Sequence, residues 1–540
     1  MNKNAKNDNS SFLLQGTILA AAGLIVRIIG LIYKIPMTRV LGDESIGYYN
    51  TAYEIYNVGL ILSSYSLPLA VSKLIAQKQE QQRFRDSRTV FRCGIVLGLI
   101  TGGLMTLILL IGADAIATTI FKSPGSALPL RVMTPTILVF AIMGVFRGYF
   151  QGHGNMIPTS ISQIVEQIVN ALVSVGASWY LVNRFANSPD QASWGAAGGT
   201  LGTLTGALSA FLFLSVLMVL RPEAKTTPTQ TQPAASRQDT MKLLILTFTP
   251  IILSQFIYQL SGSVDNALFG TIMSGKGFSE KERAVLLGIY GGKYRLLSNV
   301  PVAIASSLGA AMIPSIAAAR IAGRHEAVSQ KIYICVKFNM LLAIPCAAGM
   351  AFLSAPLMHT IFGDNRALSA QLLTIGAPAV VFFSLSTVTN SVLQGIDLMK
   401  KTVTHCAISL AIHAVLVWVM LKHLNWGVYG LVIGNVTFAL VVCVLNWISL
   451  EHAQGYHQEI RTTFVLPVIC SLIMGAVSWA IYTGLFHLVH STILSLTVAV
   501  IAAMAIYAVL ILVTHSVTDE ELRQMPMGTG LLRLKKRFLH

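Results

Sequence analysis

Long apolar runs separated by short polar loops make up most of this chain. An α-helix needs about 20 mostly apolar residues to cross the hydrocarbon core of a bilayer, because its backbone polar groups must pair within their own segment there. The pattern therefore predicts an all-α membrane protein with about fourteen transmembrane helices. These predicted helices lie near residues 12–34, 46–76, 89–113, 129–151, 157–182, 195–220, 240–272, 284–318, 331–354, 368–395, 400–421, 427–449, 462–486 and 492–514.

The composition supports this prediction. Of the 540 residues, 54% are hydrophobic and only 11% are charged, whereas soluble domains have roughly 25% charged residues. A water-soluble fold could not bury so much apolar surface. The six cysteines lie within or at the ends of apolar runs without paired spacing, so we expect small buried side chains and not a disulfide framework or a metal site.

The formal net charge of +16 could indicate binding to nucleic acid, so the placement of the basic residues matters more than their sum. They concentrate in every second loop and in the C-terminal tail, as the positive-inside rule describes for cytoplasmic segments. The distribution predicts a multi-pass protein of the cell membrane with both termini in the cytoplasm, in contact with membrane lipids and not with nucleic acid. The residues concerned are Lys78, Arg83, Arg85, Arg88, Arg92, Arg221, Lys225, Arg237, Lys242, Arg320, Arg324, Lys331, Arg533, Lys535, Lys536 and Arg537.

The first apolar run begins like a signal peptide, because Lys3 and Lys6 precede it. It continues to Ile35, however, and contains Arg27. That pattern predicts a retained transmembrane helix that faces a polar interior.

The chain also contains an internal repeat on either side of a Pro-, Thr- and Gln-rich segment, Arg221 to Asp239, which predicts a flexible cytoplasmic linker. Several residues return 241 positions later, in the same order. Gly47, Tyr49, Tyr53, Ser66, Leu67 and Ala70 return as Gly288, Tyr290, Tyr294, Ser307, Leu308 and Ala311. The repeat predicts two six-helix lobes in the same orientation, residues 1–220 and 240–450, around a linker at 221–239. Two extra helices and a basic tail occupy 451–540.

Two parallel lobes that meet at an interface enclose a central cavity, and rocking one lobe against the other exposes that cavity to each side in turn. No predicted loop is long enough to form a soluble catalytic domain. The architecture therefore predicts a transporter and not an enzyme, with no catalytic residues and no cofactor beyond a coupling ion or the membrane potential.

Two stretches resemble the MOP exporter superfamily, which contains multidrug extruders, polysaccharide flippases and MurJ-type lipid II flippases. The opening stretch, with Tyr33-Lys34-Ile35-Pro36 and Gly47-Tyr48-Tyr49, resembles the SpoVB/YtgP branch of polysaccharide transport and lipid II flippase proteins. Tyr294-Arg295-Leu296, followed by Pro301 and Ile313-Pro314-Ser315-Ile316, is similar to the eighth helix of MurJ-type flippases.

The resemblance implies a flippase that exports an undecaprenyl-pyrophosphate-linked sugar, above all lipid II for cell-wall synthesis, by alternating access. It also implies a lipid-linked oligosaccharide as substrate and the cell-wall synthesis machinery as a candidate partner. In MurJ-type flippases, arginines on helices one and eight line a cationic cavity, and Arg27 and Arg295 match those positions. The Gram-negative pattern adds basic residues on helix two, where this chain has Glu54, so another lipid-linked glycan stays open.

Charged side chains within membrane helices are candidates for function by default, since each costs about 2.5–3.5 kcal/mol on insertion scales. Here they are Arg27, Glu54, Lys293 and Arg295, which we predict to be substrate-binding; the alternative is that they pair with each other or reach the interface. Arginine suits pyrophosphate because its planar fork makes bidentate hydrogen bonds. Glu54 and Arg295 are repeat equivalents, 241 residues apart, and the repeat predicts that they form a gate pair across the cavity.

Three further groups are weaker candidates. Asp265 and Asn266 lie near the region where some MurJ-type flippases bind sodium, and their oxygens suit a hard cation. Glu166, with Gln163 and Gln167 nearby, is either a proton-coupling acid or an interhelical contact, and we favour the contact. His405 and His413 read as hydrogen-bonded interior histidines and not as ligands.

Three other functions deserve comparison. A multidrug extruder of the same superfamily would carry amphiphilic cations, which cationic cavity residues would repel. A membrane glycosyltransferase is suggested by Asp43-Glu44 in an outside loop, but it would need a large outside domain and gives no reason for duplicated halves. A scaffold or receptor is disfavoured in the same way.

Overall fold

A computed structural model describes residues 3–220, 236–519 and 521, and every regular element in it is a helix. The predicted all-α fold is confirmed. The chain forms two compact units, 1–292 (unit 1) and 293–540 (unit 2). Most of the predicted linker, at 221–235, and the basic tail residues from Arg533 to Arg537 lie outside the described residues. The predicted lobe boundaries at 220, 240 and 450 stay a prediction.

Unit 1 contains nine α-helices among its described residues. They are α1 (Lys3–Ser63), α2 (Leu67–Glu80), α3 (Phe84–Ala115), α4 (Ala127–Met133), α5 (Thr136–Gly152), α6 (Ile157–Arg184), α7 (Gln191–Leu220), α8 (Arg237–Gly275) and α9 (Glu280–Ile289).

Unit 2 contains eight α-helices among its described residues. They are α10 (Arg295–Ile321), α11 (His325–Phe352), α12 (Ser354–Phe362), α13 (Ala367–Gly395), α14 (Met399–Lys422), α15 (Val428–Gln454), α16 (Leu466–Val489) and α17 (Thr492–Val513). A π-helical turn at Tyr290–Tyr294 precedes α10.

Eleven helical stretches in the described part of the chain are long and apolar enough to cross a membrane. The first of them, Ala21–Glu80, contains residues 21–34 of the predicted span 12–34 and all of the predicted span 46–76. Two other predicted spans, 240–272 and 284–318, correspond to α8 and to α9 with α10. The chain is therefore a multi-pass membrane protein, and the apolar runs located its helices.

Gly42 divides α1 into an N-terminal arm before it and a C-terminal arm, residues 43–63, after it. Its backbone angles, φ 71° and ψ 172°, are non-helical and lie in a region that L side chains rarely adopt, because a Cβ would clash there. Pro36 lies one and a half turns earlier in the same helix. The break explains how one continuous helical stretch supplies two membrane crossings.

Helix α9 begins with a capping box. The hydroxyl of Ser279 accepts a hydrogen bond from the Glu282 amide, and the Glu282 carboxylate accepts one from the Ser279 amide. These bonds satisfy two backbone donors that an uncapped helix end would leave open. The capping bonds hold the pKa of the Glu282 carboxyl below its ordinary value. The sequence Ser-Glu-Lys-Glu thus fixes where α9 starts.

Helices α1 and α9 cross at a pair of glycines in unit 1. A Cβ added to Gly47 would lie 2.0 Å from the Ala284 carbonyl oxygen, and one added to Gly288 would lie 1.9 Å from the Asp43 carbonyl oxygen. Residues 43 and 47 are the repeat equivalents of 284 and 288, so the contact is reciprocal. Only glycine permits backbones to approach this closely. The internal repeat is therefore seen in the structure as a helix crossing to which each helix contributes an equivalent glycine.

Candidate functional site

The C-terminal arm of α1 has a polar face in the middle of an apolar helix. Asn50, Tyr53, Glu54 and Asn57 follow the i, i+3, i+4, i+7 spacing that places side chains on one face. Asn50, Glu54 and Asn57 are half-buried and Tyr53 is exposed. Polar groups at membrane depth have to meet water or polar protein groups, so this face borders a polar space.

Helix α6 has a matching polar face. Gln163, Glu166, Gln167 and Asn170 have the same helical spacing, and all four are half-buried. Glu166 lies near enough to Tyr53 for its charge to act on the Tyr53 hydroxyl. We call these eight residues, on the polar faces of α1 and α6, the unit 1 polar site.

The N-terminal arm of α1 closes one side of this polar site. The Asn170 amide donates a hydrogen bond to the Tyr33 hydroxyl over 3.4 Å. One turn earlier, a Cβ on Gly30 would lie 3.0 Å from the Gln167 amide nitrogen. Arg27 is exposed and lies three residues before Gly30, between exposed Leu24 and Ile28. The predicted arginine therefore lies about one turn before the point at which α1 approaches Gln167 of α6.

Glu166 is held by an ion pair. A guanidinium nitrogen of Arg147 on α5 lies 2.8 Å from the Glu166 carboxylate, and the Arg147 Nε donates to the Ser162 hydroxyl over 3.0 Å. Arg147 is 9% exposed. The interpretation of Glu166 as an interhelical contact is confirmed, and Arg147 is the partner that sequence reasoning did not name.

Glu54 lies against α8. A Cβ added to Gly262 would be 2.5 Å from a carboxylate oxygen of Glu54, and the Ser263 hydroxyl donates to the Glu54 carbonyl over 3.3 Å. The carboxylate therefore occupies space that a larger residue at position 262 would fill. Asn50 and Asn57, on the same face of α1 as Glu54, are half-buried.

Asp265 and Asn266 are both buried in α8, at 1% and 5% exposure. The Tyr290 hydroxyl donates a hydrogen bond to the Asp265 carboxylate over 3.0 Å. Among the described residues no group of three His, Cys, Asp or Glu side chains could hold a metal ion. The predicted sodium site at this pair stays a prediction.

In unit 2, the Lys293 side chain forms an ion pair. Its ammonium lies 2.6 Å from the carboxylate of Asp364, in the turn between α12 and α13, and both side chains are buried. Arg366 and Ser369 also donate to Asp364. Burial opposes ionisation of this carboxyl, but the bonds from Arg366, Lys293 and Ser369 outweigh it and hold the pKa of Asp364 well below its ordinary value.

Arg295, the first residue of α10, is half-buried. It belongs to unit 2, whereas Arg27 and Glu54 belong to unit 1. The predicted gate pair of Glu54 and Arg295 joins residues of the two units and stays a prediction.

Two buried histidines in unit 2 have polar partners. The Nδ1 atom of His405 lies 2.8 Å from the Asn446 side-chain oxygen, and the Nδ1 atom of His413 lies 2.9 Å from the Gly434 carbonyl oxygen. Both histidines lie on α14, and both partners lie on α15. The interpretation of His405 and His413 as hydrogen-bonded interior residues is confirmed.

Comparison with known proteins decides the family. A family model described as polysaccharide biosynthesis protein matches residues 13–320, and the MatE model matches residues 250–419. The first of these covers more than half of the chain. The chain belongs to the polysaccharide biosynthesis family of the MOP superfamily. It is a membrane transporter.

Curated relatives are similar to this transporter along most of its length. Stage V sporulation protein B of Bacillus subtilis (strain 168) is 25% identical over 519 residues, which cover 95% of this chain and 98% of the relative. The lipid II flippase MurJ of the same strain is 26% identical over 486 residues, 86% of this chain and 88% of the relative. The SpoVB/MurJ-type relationship predicted from the sequence is confirmed.

Solved structures share the transporter's fold. A lipid II flippase MurJ in an inward closed conformation matches with a TM-score of 0.68 at 13% identity, over 92% of this chain and 98% of that one. A multidrug resistance MATE family transporter in an inward-facing conformation matches with a TM-score of 0.64 at 16% identity, over 80% and 98%. At these identities the likeness concerns the fold alone.

Sequence reasoning missed several residues that shape the transporter's polar groups. Asp364 follows Phe362-Gly363 in a short turn, and no spacing relates it to Lys293, 71 residues away. Asn50 and Asn57, in contrast, had a usable signal, since their helical spacing around Glu54 can be read from the sequence.

Proposed function

We propose that this transporter is a flippase for an undecaprenyl-pyrophosphate-linked sugar, most specifically lipid II for peptidoglycan synthesis, and that it moves this substrate across the cytoplasmic membrane by alternating access. The main support is its similarity to a lipid II flippase along 88% of that relative. The polar site within unit 1 is consistent with a cargo whose headgroup is polar and whose tail is apolar.

The headgroup explains why such a molecule needs a protein. A pyrophosphate with attached sugars would lose its hydration in the hydrocarbon core, where even one charged side chain costs about 2.5–3.5 kcal/mol on insertion scales. Polar faces on α1 and α6 replace part of that hydration inside unit 1. The undecaprenyl chain can stay in lipid throughout.

Arg27 is the candidate contact for the pyrophosphate in unit 1. A guanidinium binds phosphate oxygens in a bidentate, charge-assisted geometry that an ammonium does not reproduce. We expect Arg27→Ala to lower transport about 10- to 100-fold, since hydrogen bonds to charged groups contribute about 1.5–3 kcal/mol, and Arg27→Lys to lie between. Arg184→Ala, at the exposed end of α6, is the control and should transport normally. Equal transport by all three variants would remove Arg27 from the site.

Arg295 is the corresponding candidate in unit 2, and Lys293 is not equivalent to it because its ammonium already pairs with Asp364. We expect Arg295→Ala to reduce transport, and thermal unfolding in detergent checks that the variant is folded. Lys293→Ala should act first on stability, measured by thermal unfolding in detergent.

Depletion in cells tests the proposal directly. If the transporter flips lipid II, its loss should leave lipid II on the cytoplasmic leaflet, measured by labelling the outer leaflet of intact cells. Unchanged lipid II labelling together with the accumulation of another lipid-linked glycan would favour that glycan as the cargo.

The second candidate function is a multidrug extruder. The match of residues 250–419 to the MatE family model and the MATE-like fold favour it. Loss of the transporter would then raise sensitivity to amphiphilic cations without changing cell-wall precursors. Drug susceptibility and precursor labelling, measured on the same depleted cells, separate the two functions.

Coupling to sodium is proposed at Asp265 and Asn266, whose buried oxygens are hard-cation ligands. Transport by vesicles should then depend on sodium, and Asp265→Asn should remove that dependence. Sodium-independent transport that follows an imposed membrane potential would favour coupling to the potential instead.

Both termini are proposed to be cytoplasmic, and protease accessibility of terminal tags in intact cells checks this orientation. The cell-wall synthesis machinery is proposed as a partner, and co-purification with its enzymes checks it.

A further inference from the structure

Tyr53 is exposed on the polar face of α1, whereas its neighbours Tyr49 and Tyr56 are buried. Its repeat equivalent in unit 2, Tyr294, is 1% exposed and contacts Gly376, where an added Cβ would lie 2.1 Å from its ring. Tyr53 is 37% exposed. The fold of the repeat therefore does not require an exposed tyrosine at this position, because Tyr53 is exposed and Tyr294 is buried.

The Tyr53 ring is held in place by neighbouring aromatic residues. It stacks on Tyr49 with centroids 6.1 Å apart and an interplanar angle of 17°, and it lies 6.0 Å from the Tyr56 ring at 45°. Tyr49 and Tyr56 are both buried. The three rings form a ladder along the C-terminal arm of α1, whose middle ring is open and whose outer rings are anchored.

The exposed ring faces polar groups. The Lys34 ammonium lies 5.7 Å from its centroid, and the Glu54 and Glu166 carboxylates both lie near enough to act on its hydroxyl. Asn50 and Asn57 lie one turn to either side on the same helix face. A ring surrounded by a lysine, two carboxylates and side-chain amides faces the polar interior of unit 1.

We propose that Tyr53 is a stacking platform for a pyranose ring, and that Glu54 and Asn57 beside it hydrogen-bond the sugar hydroxyls. The inference rests on the proposed function and names the part of the cargo that unit 1 recognises. One face of a pyranose presents C–H groups with partial positive charge, which suit the negative face of an aromatic ring. Carboxylate and amide side chains supply the acceptors and donors that hydroxyl groups need.

A cationic amphiphile is the competing ligand for an aromatic ring next to a carboxylate. Lys34 argues against it, because its ammonium lies 5.7 Å from the Tyr53 ring centroid and its positive charge would repel a second cation. A neutral sugar meets no such repulsion. The geometry therefore favours carbohydrate over an organic cation.

Binding of two lipids to the purified full-length protein tests the platform. The probes are undecaprenyl pyrophosphate, which lacks sugar, and the same lipid with its disaccharide. We expect Tyr53→Ala to weaken the disaccharide lipid about 10-fold, equivalent to about 1.4 kcal/mol, and to leave the sugar-free lipid within about 2-fold. Tyr53→Phe keeps the ring and should bind both lipids nearly as the wild type does.

Tyr180→Ala is the matched control, since Tyr180 is an exposed tyrosine on α6 outside the unit 1 polar site. It should bind both lipids normally, and thermal unfolding of each variant establishes that it is folded. Equal weakening of both lipids by Tyr53→Ala, or of neither, would overturn the platform while the proposed function stands. Binding of neither lipid by the wild type would overturn the proposed function and the platform together.

Discussion

Several buried or half-buried charged side chains in the described part of the chain are paired with an opposite charge. Arg147 with Glu166 and Lys293 with Asp364 are examples on the two sides of the chain's midpoint, with contacts of 2.8 and 2.6 Å. Pairing lowers the cost of burying a charge but makes each partner depend on the other. Arg27 is exposed, and we assign the headgroup to it because a guanidinium binds phosphate oxygens in a bidentate geometry.

Asp364 collects hydrogen bonds from three side chains, whereas Lys293 supplies only one of them. Asp364→Asn should therefore destabilise unit 2 more than Lys293→Met, with about 3–5 kcal/mol as the scale for a broken buried pair. Unfolding in detergent, followed by circular dichroism, measures both. A larger loss in Lys293→Met would contradict the assignment of Asp364 as the organising residue.

The same carboxylate predicts an acid limit to stability. The pKa of Asp364 lies well below its ordinary value in the folded protein, so its contribution is fully present above the unfolded value of about 3.9 and is lost as the pH falls toward the folded value. The midpoint of thermal unfolding should fall when the pH is lowered from about 5 to 3. Asp364→Asn should show a smaller fall, and an identical fall would contradict this explanation.

Lys337 is another buried charge, 2% exposed on α11. Its ammonium lies 2.7 and 2.9 Å from the two carboxylate oxygens of Glu521, which also accepts from the Tyr333 hydroxyl. Burial opposes ionisation of Glu521, but the bonds from Lys337, the Thr518 amide and Tyr333 hold the pKa of this carboxyl below its ordinary value. Glu521, which lies beyond α17, thus neutralises the charge of Lys337, which is buried on α11.

A double-mutant cycle measures this contact. Glu521→Gln should destabilise the protein by about 3–5 kcal/mol because it removes the counter-charge of a buried lysine. Adding Lys337→Met should restore a large part of that loss, because the buried charge is then gone. Additive losses in the double variant, measured by thermal unfolding, would show that the pair is not coupled.

At the scale of elements, the crossing of α1 and α9 depends on Gly47 and Gly288, which stand in equivalent places of the repeat. An added Cβ would come within 2.0 Å of a carbonyl oxygen at either glycine. The two helices would have to separate to accept it, and overpacking of this kind costs about 1–3 kcal/mol. The reciprocal geometry predicts equal costs on the two sides.

Gly47→Ala and Gly288→Ala should therefore lower stability by similar amounts, and the double variant should lose less than the sum because one separation relieves both clashes. Gly103→Ala is the control, since nothing lies within 4 Å of a Cβ at that position and alanine is the better helix former. Unequal losses at positions 47 and 288, measured by unfolding in detergent, would contradict a reciprocal contact.

Helix positions were predictable because a membrane allows few ways to satisfy a backbone, and each crossing needs a long apolar run. The break at Gly42 was not predicted, since it depends on one residue's backbone angles. In the structure, α8 and α9 belong to the same compact unit as α1. Unit membership depends on tertiary contacts, which apolar periodicity does not encode.

Glu54 and Glu166 were predictable as candidates because a charge within an apolar run is visible in the sequence. Their partners were not predictable from the sequence. Arg147 lies on α5 and Glu166 on α6, and Gly262 on α8 is more than 200 residues from Glu54. Tyr53 was identified only as a repeat residue. Its difference from Tyr294 is one of exposure, which two identical side chains cannot reveal in sequence.

At the scale of the whole molecule, a transporter of the MOP superfamily with paired buried charges and an open polar site in unit 1 is suited to a cargo that is polar at one end. The account assigns the headgroup to Arg27 and the sugar to the face around Tyr53. Both assignments depend on the cargo being a lipid-linked glycan.

Flipping of fluorescent lipid II by the purified transporter in proteoliposomes tests that central claim most directly. Reduction of the fluorophore from outside the vesicles should quench nearly all the label when wild-type protein is present, and about half in protein-free vesicles, where only the outer leaflet is accessible. Arg27→Ala should approach the protein-free result, and Arg184→Ala should match the wild type. Quenching of only half the label by the wild-type protein, under sodium gradients and membrane potentials of either sign, would contradict the account.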